Sequence, residues 1–382
     1  MSSRRINVIS HCAKSPWFAR TWNEDALYTE YAGRLVLQSL GGDAVEEYWT
    51  LRKAVGLFDV PERPIEISGQ DAVAFLNRVL TRPVDKLRVG RGSSGLLCHQ
   101  GGGLVCDGIV FRLAQDRFWY VHADADVYLW LVAHALDYRV EIRDPDSWVL
   151  QVQGPKSLHV LANACDGGAP HQFRYFDAFQ GSMGGQPVLV SRTGWSAELG
   201  FEVYNMDAQV DGPALWDHLL AAGAEQGMRA CGQMAMNIRR IEGGILNYRT
   251  DMDWHTTPYD MGLGAFVDLD SNDFIGRDAL RNADRTSRFT GFRCDPRQIR
   301  HGATLRASEQ AIGRVTAYEI SPYLECGVGF ALLDSAASLN CADVFIENRD
   351  GTVCPVEFVE LPFYDVDKNI PRGLPSTDDI AD

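Results

Sequence analysis

The sequence predicts an α+β protein in which two related α+β units form one body and a small antiparallel β-barrel follows. Three observations carry this. The stretch "RPIEISGQDAVAFLNRVLT" (63–81) reads as strand, turn and helix, with Ala72, Phe75, Leu76 and Val79 at helical spacing. The stretch "WVLQVQGPKSLHVLANA" (148–164) repeats that order, again with a glycine between the β-rich and amphipathic runs. From about residue 286 the texture changes to short strands separated by turns, such as "AIGRVTAYEI" and "GVGFALLD", as in a small barrel.

The elements follow in order. Residues 10–32 are rich in aromatics, including Trp17, Phe18, Trp22, Tyr28 and Tyr31. A helix is expected over 42–56. After the first strand–turn–helix, "LVCDGIVFRL" (104–113) and "RFWYVHA" (117–123) form a hairpin, and a helix over 124–136 starts at Asp124 as N-cap. Two strands are expected over 186–205, then helices over 212–227 and about 231–242, the first stopped by Gly227. The implied organisation is an aromatic-rich segment over 1–44, a body over 45–285, a barrel over 286–373 and a short acidic tail over 374–382.

Composition narrows the function. The 382 residues carry a net charge of −15, which disfavours a nucleic-acid surface and an anionic membrane. No run approaches the length of a membrane-spanning helix, and the first residues lack the apolar core of a signal peptide, so a cytoplasmic protein is expected. Nine scattered cysteines form no C-x-x-C pair; they read as reduced thiols, and no metal site is expected. No G-x-G-x-x-G opens a βαβ unit, which removes a flavin domain, and "GRGSSG" (90–95) lacks the Lys-Ser/Thr ending of a phosphate loop.

In "TGWSAELGFEVY" (193–204) a turn leads into a strand, with Phe201 and Val203 on one face and Glu202 and Tyr204 on the other. Together with "LFDV" (57–60), "GGLVCDGIV" (102–110), "VQGPKS" (152–157), "RRIEGGILNYRTDMDWHTTPYDMGLGAFVDL" (239–269), "DFIGRDAL" (273–280), "SPYLECGVGFAL" (321–332) and "VELPFY" (359–364), this segment resembles the folate-dependent aminomethyltransferase superfamily. The type member is the T-protein of the glycine cleavage system. The resemblance runs from about residue 45 to about residue 364 and implies a T-protein-like fold with tetrahydrofolate as one-carbon acceptor.

The resemblance also implies roles. Glu202 pairs with the amide-like pterin edge, whose adjacent N–H donors suit a bidentate carboxylate. Trp195 packs near the flat pterin, and Tyr204, Tyr248 and Cys106 are further folate-site candidates. Asp107 and Tyr248 are the catalytic candidates. Arg240 and Glu242, on one helix, read as a structural ion pair.

Two departures steer the choice of branch. T-proteins carry two adjacent acids where this chain has Cys106 and Asp107, and an arginine where it has Met236. These departures, with the "TGWS", "ADAD" and "RIEGGILNY" segments, resemble the branch typified by dimethylsulfoniopropionate demethylase. The resemblance then implies methyl transfer to N5 of tetrahydrofolate from a small donor, a sulfonium first and an aryl methyl ether second, with no lipoyl protein. A cationic donor would rest on aromatic faces, with Trp17, Trp22 and Tyr31 as candidates. An ether donor would need a proton source, with His255, His122 and His99 near the matched motifs. The rival is a true aminomethyltransferase of a glycine cleavage system. A non-enzymatic folate-binding paralogue is disfavoured, since its K-G-C-Y-x-G-Q/E motif is missing. A homo-oligomer is compatible with the sequence.

Overall fold

A computed structural model describes residues 12–376 apart from 124, 207, 272 and 297. Its core is built on two mixed α/β layers. A five-stranded antiparallel sheet contains the strands Arg63–Ser68, Arg91–Cys98, Leu104–Ala114, Arg117–His122 and Glu141–Arg143. A six-stranded sheet contains Gly56–Val60, Val149–Gln153, Ala178–Met183, Gln186–Ser191, Gly200–Asn205 and Arg229–Cys231. The last of these runs parallel to Gly56–Val60, and the other pairings are antiparallel.

Both expected strand–turn–helix copies form. Arg63–Ser68 leads to the helix Ala72–Val79, and Val149–Gln153 leads to Ser157–Ala164. Gly69 and Gly154 make the turns at φ 129° and 136°. A Cβ would lie 2.5 Å from the carbonyl oxygen of Arg139 at the first and 2.4 Å from that of Ala54 at the second. Only glycine meets both conditions. Each helix then buries its apolar stripe on its own sheet: Phe75, Leu76 and Val79 in one cluster, Val160, Leu161 and Ala164 in another.

The helix expected over 42–56 spans Ala44–Lys53, capped by the Asp43 side chain accepting from the Val45 N–H. The helix Gly212–Ala222 ends earlier than its apolar pattern, and a short 3₁₀ turn, Ala224–Gln226, reaches Gly227 at φ 73°. The helix expected from Asp124 spans Val127–His134 with Asp126 at its N-cap position, and Asp124 lies outside the described residues. Part of the acidic tail, 377–382, also lies outside them.

A seven-stranded antiparallel sheet from Phe289 to Val359 curls into a nearly closed barrel. It seats on the helix Gln233–Glu242: Ile241 of that helix packs with Ala317, Val328 and Phe330 of the barrel. No helix among the described residues is long and apolar enough to cross a membrane.

Candidate functional site: a carboxyl-lined cavity between the sheets

The strand Gly200–Asn205 lies between Gln186–Ser191 and Val149–Gln153 and is buried on both faces. The sequence alternation assigns the faces correctly. Phe201 and Val203 join the cluster around Trp216, while Tyr204 joins the one around Phe58 and Trp119. Glu202 shares the second face and opens onto a cavity of about 280 Å³.

Glu202 is 4% exposed and held by donors from four side chains. Its Oε2 accepts from Thr193 Oγ1 at 2.6 Å, Tyr204 OH at 2.6 Å and Ser191 Oγ at 3.2 Å. Among the described residues its Oε1 accepts only from Gln151 Nε2, at 3.1 Å. Oε2 is therefore saturated and Oε1 keeps acceptor capacity toward the cavity. Burial raises the carboxyl pKa, and the hydroxyls of Thr193, Tyr204 and Ser191 oppose that rise. Tyr204 does not line the cavity; it positions Glu202 from behind.

Gln151 ties a second carboxyl to the first. The same Nε2 donates to Glu62 Oε1 at 3.1 Å. Its Oε1 accepts from the Trp195 N–H at 3.2 Å, which fixes the amide's orientation. Burial, then the neighbouring Glu202, pushes the Glu62 carboxyl up to about 8.

Trp195 is half-buried and lines the cavity, with its Nε1–H donating to the Leu246 carbonyl at 3.2 Å and the Arg240 guanidinium 5.2 Å from its ring centre. Tyr248 forms another wall, its hydroxyl donating to the Leu104 carbonyl at 3.1 Å. That hydroxyl is engaged with the backbone, and burial raises its pKa, so it is a poor proton carrier. Leu246, Leu263, Phe266 and Ile109 complete an apolar slot.

Asp107 and Cys106 lie on opposite faces of one strand. Asp107, opposite Leu96, lines the cavity with it. Burial, then the charge of Asp251, pushes its carboxyl up to about 6. Cys106, opposite Leu97, is fully buried against Phe75, Leu76 and Val79. The period-two alternation of a strand allows nothing else. Cys106 therefore does not line this cavity, whereas the sequence-based expectation placed it among the folate-site residues. Met236 is likewise fully buried, in the cluster that holds Tyr48 and Phe58.

The aromatic candidates separate. Tyr31 lines the cavity, its hydroxyl donating to Asn247 Oδ1 at 2.8 Å. Trp17 is fully buried in the core of the six-stranded sheet. Trp22 is 60% exposed and stacks on Phe18 and Tyr28 at the surface. Neither tryptophan belongs to the cavity, so Trp17 and Trp22 do not form a donor box with Tyr31. His255 is exposed on its loop and does not line the cavity, and His99 stacks on Trp254. His122 does line it. It is 4% exposed, and neither ring nitrogen has a hydrogen-bond partner among the described residues. Burial, then the charges of Arg63 and Arg34, pushes it down to about 3, so the ring is neutral.

Arg240 and Glu242 are not a pair. Arg240 bonds Asp251 at 2.6 Å, while Glu242 accepts from Tyr48, Ser321 and Tyr364. Sequence reasoning missed Glu62, Gln151 and Lys368, which stands exposed at the cavity rim. A hint existed for Glu62: a carboxylate between Pro61 and Pro64 in a short strand connection. No group of three or more metal-ligating side chains occurs among the described residues.

Comparison with known proteins decides the family. The GCVT N-terminal domain matches residues 13–271, and the glycine cleavage T-protein C-terminal barrel domain matches residues 288–365. The chain belongs to the glycine cleavage T-protein family. Relatives of this T-protein family member include the aminomethyltransferase of Caldanaerobacter subterraneus subsp. tengcongensis, 33% identical over 318 residues, covering 80% of this chain and 84% of that protein. The aminomethyltransferase of Saccharopolyspora erythraea is 33% identical over 353 residues, covering 89% and 94%. The crystal structure of glycine cleavage system aminomethyltransferase T from Bartonella henselae superposes with a TM-score of 0.83 at 25% identity, covering 92% of this chain and 98% of that one. T-protein family membership makes this chain a folate-dependent one-carbon transferase, with tetrahydrofolate as acceptor. The cavity suits that acceptor: a buried carboxylate oxygen with open acceptor capacity lies beside a flat apolar slot, matching a flat heterocycle that carries N–H donors.

Proposed function

We propose that this protein transfers an aminomethyl one-carbon unit to tetrahydrofolate. The observation that carries the reading is that Asp107, not Cys106, faces the cavity. The two departures that pointed toward whole methyl transfer, Cys106 and Met236, are both core positions. Neither removes a group from the cavity, so the argument for the demethylase branch loses its physical basis. The relatives named aminomethyltransferase support the same reading.

Tetrahydrofolate supplies the nucleophilic nitrogen that accepts the one-carbon unit. Glu202 receives the pterin N–H donors through Oε1, with Thr193, Tyr204 and Ser191 holding the carboxylate in place. A charged hydrogen bond of this kind contributes about 1.5–3 kcal/mol. Trp195 and Tyr248 wall the slot and exclude water. Asp107 holds or takes a proton near the transfer point, and a carboxyl at about 6 suits that work near neutral pH. Aminomethyl transfer also implies a carrier for the donor. A lipoyl protein then becomes the expected partner, in place of the free methylated molecule inferred from sequence.

The test is product analysis. Purified protein and tetrahydrofolate are incubated either with an aminomethyl-loaded lipoyl protein or with dimethylsulfoniopropionate and methoxyaromatic compounds. The expected products are 5,10-methylene-tetrahydrofolate and ammonia from the first mixture. Formation of 5-methyl-tetrahydrofolate from a methylated donor, with no reaction of the lipoyl protein, would overturn the proposal.

A further inference from the structure

We infer that Glu62 is a second ligand-reading carboxyl of the cavity, kept protonated so that its Oε2–H donates a hydrogen bond to a carbonyl-type oxygen of the ligand, beside the N–H donors taken by Glu202. The inference rests on the tetrahydrofolate reading for the identity of the ligand, and the pterin carbonyl next to the N–H edge is the acceptor it selects.

Geometry carries the assignment. One amide nitrogen, Gln151 Nε2, lies 3.1 Å from an oxygen of each carboxyl, so the two groups share one buried neighbourhood. Two ionised carboxylates in such a place repel strongly and lack solvent, so one proton is retained between them. The donors decide which group retains it. Glu202 has hydroxyls from Thr193, Tyr204 and Ser191 besides the amide. Glu62 has the amide on Oε1, while its Oε2 is buried with no hydrogen-bond partner among the described residues. An unpartnered oxygen is the site for the proton. The amide fixes Oε1 as the carbonyl end, so the hydroxyl end is left for a ligand.

The surrounding charges agree. Arg34 is the nearby cation, but its Nη1 donates to the Glu62 backbone carbonyl at 3.1 Å and its Nη2 to the Ser147 carbonyl at 3.0 Å. Its charge opposes the rise of the Glu62 pKa, while Glu202 and the buried Asp59 favour it. Around the cavity stand Asp107, Tyr204 behind Glu202, neutral His122 and, at the rim, Lys368.

A second observation marks this wall as built for a polar ligand. His122 is the register partner of Arg63, the residue next to Glu62. Its imidazole is 4% exposed, lines the same cavity, and has no partner at either nitrogen among the described residues. Buried polar groups of folded proteins are ordinarily paired. Adjacent unpaired groups on one cavity wall point to a ligand that pairs them.

The experiment compares wild type, Glu62→Gln, Glu62→Leu and Glu202→Gln by two measurements. The first is the infrared carbonyl band of a protonated carboxyl at pH 7. It should be present in wild type and in Glu202→Gln, and reduced in Glu62→Gln. The second is calorimetric binding of tetrahydrofolate between pH 6.5 and 9. Wild-type affinity should fall about tenfold across that range as Glu62 loses its proton. Glu62→Gln, whose amide donates at every pH, should bind as wild type does at pH 6.5 and lose the pH dependence. Glu62→Leu should bind about tenfold more weakly at pH 6.5. Loss of affinity in Glu62→Gln equal to that in Glu62→Leu, affinity that rises with pH, or an unchanged carbonyl band in Glu62→Gln would overturn the inference. A wild type that shows the band yet binds no tetrahydrofolate would overturn the ligand assignment and leave the protonated Glu62 standing.

Discussion

Two groups of buried carboxylates in this protein differ in one respect. At the junction of the body and the barrel, they have guanidinium partners. Glu198 accepts from both Arg52 and Arg239, and Asp251 from Arg240, with every side chain at most 2% exposed. Glu242 adds hydroxyls from the two sides of the junction: Tyr48 from the body, Ser321 from the barrel and Tyr364 after it. In the cavity, Glu62, Glu202 and Asp107 have no ion pair to a cation among the described residues; an amide holds Glu62, an amide and three hydroxyls hold Glu202, and burial raises all three. Paired charges lock two domains together. Unpaired ones carry raised proton affinities and open acceptor or donor capacity, which is what a site needs.

The difference can be broken from the structural side first. Arg239→Leu leaves Glu198 with one cation and removes the one nearest Glu242. Breaking a buried pair of this kind costs about 3–5 kcal/mol, and the loss should appear in urea unfolding. A loss of under half a kcal/mol would show the junction to be indifferent to its charges.

On the functional side, Asp107→Asn should lower kcat about 100-fold or more while the fold holds. Cys106→Ser, one residue away but on the core face, should leave kcat within about threefold. Similar losses in both would contradict the placement of the two side chains on opposite strand faces.

Glu202→Ala should weaken tetrahydrofolate binding by about 1.5–3 kcal/mol in calorimetry. Circular dichroism should confirm that the variant is folded. Unchanged affinity would remove Glu202 from the ligand.

His122 sharpens the comparison through pH. Its folded pKa, pushed down to about 3, lies below the ordinary histidine value. The native state therefore binds fewer protons than the unfolded state below about pH 6.5. The stability contribution is present above that pH and is lost as pH falls toward 3, by up to about 1.4 kcal/mol per pH unit. His122→Asn does not titrate, so its stability should fall less between pH 7 and pH 4.5 in urea melts. Parallel losses would mean that the imidazole is not buried neutral.

The smallest effect is expected at Trp22. It stacks at the surface, away from the cavity, so Trp22→Ala should change stability by about 0.5 kcal/mol or less and leave turnover unchanged. A lost activity would return the aromatic segment to the site.

Much of the site was legible because strand alternation is legible. Glu202 opposite Phe201 and Val203 in facing, and Asp107 in a motif-bearing strand, could be found from the residues and their resemblance to a family. The same alternation, applied to "VCDG", separates Cys106 from Asp107, yet the sequence does not say which face meets the cavity. That depends on which sheet packs where, and helix Ala72–Val79 covers the Cys106 face. The aromatic segment failed for a related reason: Trp17, Trp22 and Tyr31 lie close in the chain, and the short helix Phe18–Thr21 and hairpin Leu27–Tyr31/Arg34–Ser39 send them to core, solvent and cavity. Arg240 found Asp251 rather than Glu242 because the loop after the helix brings that carboxylate back beneath it.

What the sequence determined by itself was local and periodic. It set the repeated strand–glycine–helix units, the antiparallel barrel texture, the faces of Gly200–Asn205 and a net charge unsuited to nucleic acid. These depend on neighbours within a turn or a strand, whose spacing is written in the chain. Only the tertiary structure decided that Glu62 meets Glu202 through Gln151, that His122 is buried without a hydrogen-bond partner among the described residues, and that Cys106 and Met236 lie in the core. Those facts depend on burial and on contacts between distant segments, such as Glu62 with Gln151 and Gln151 with Glu202. Burial is what turns an ordinary carboxyl into a proton-holding one, because the cost of charge rises when water is removed.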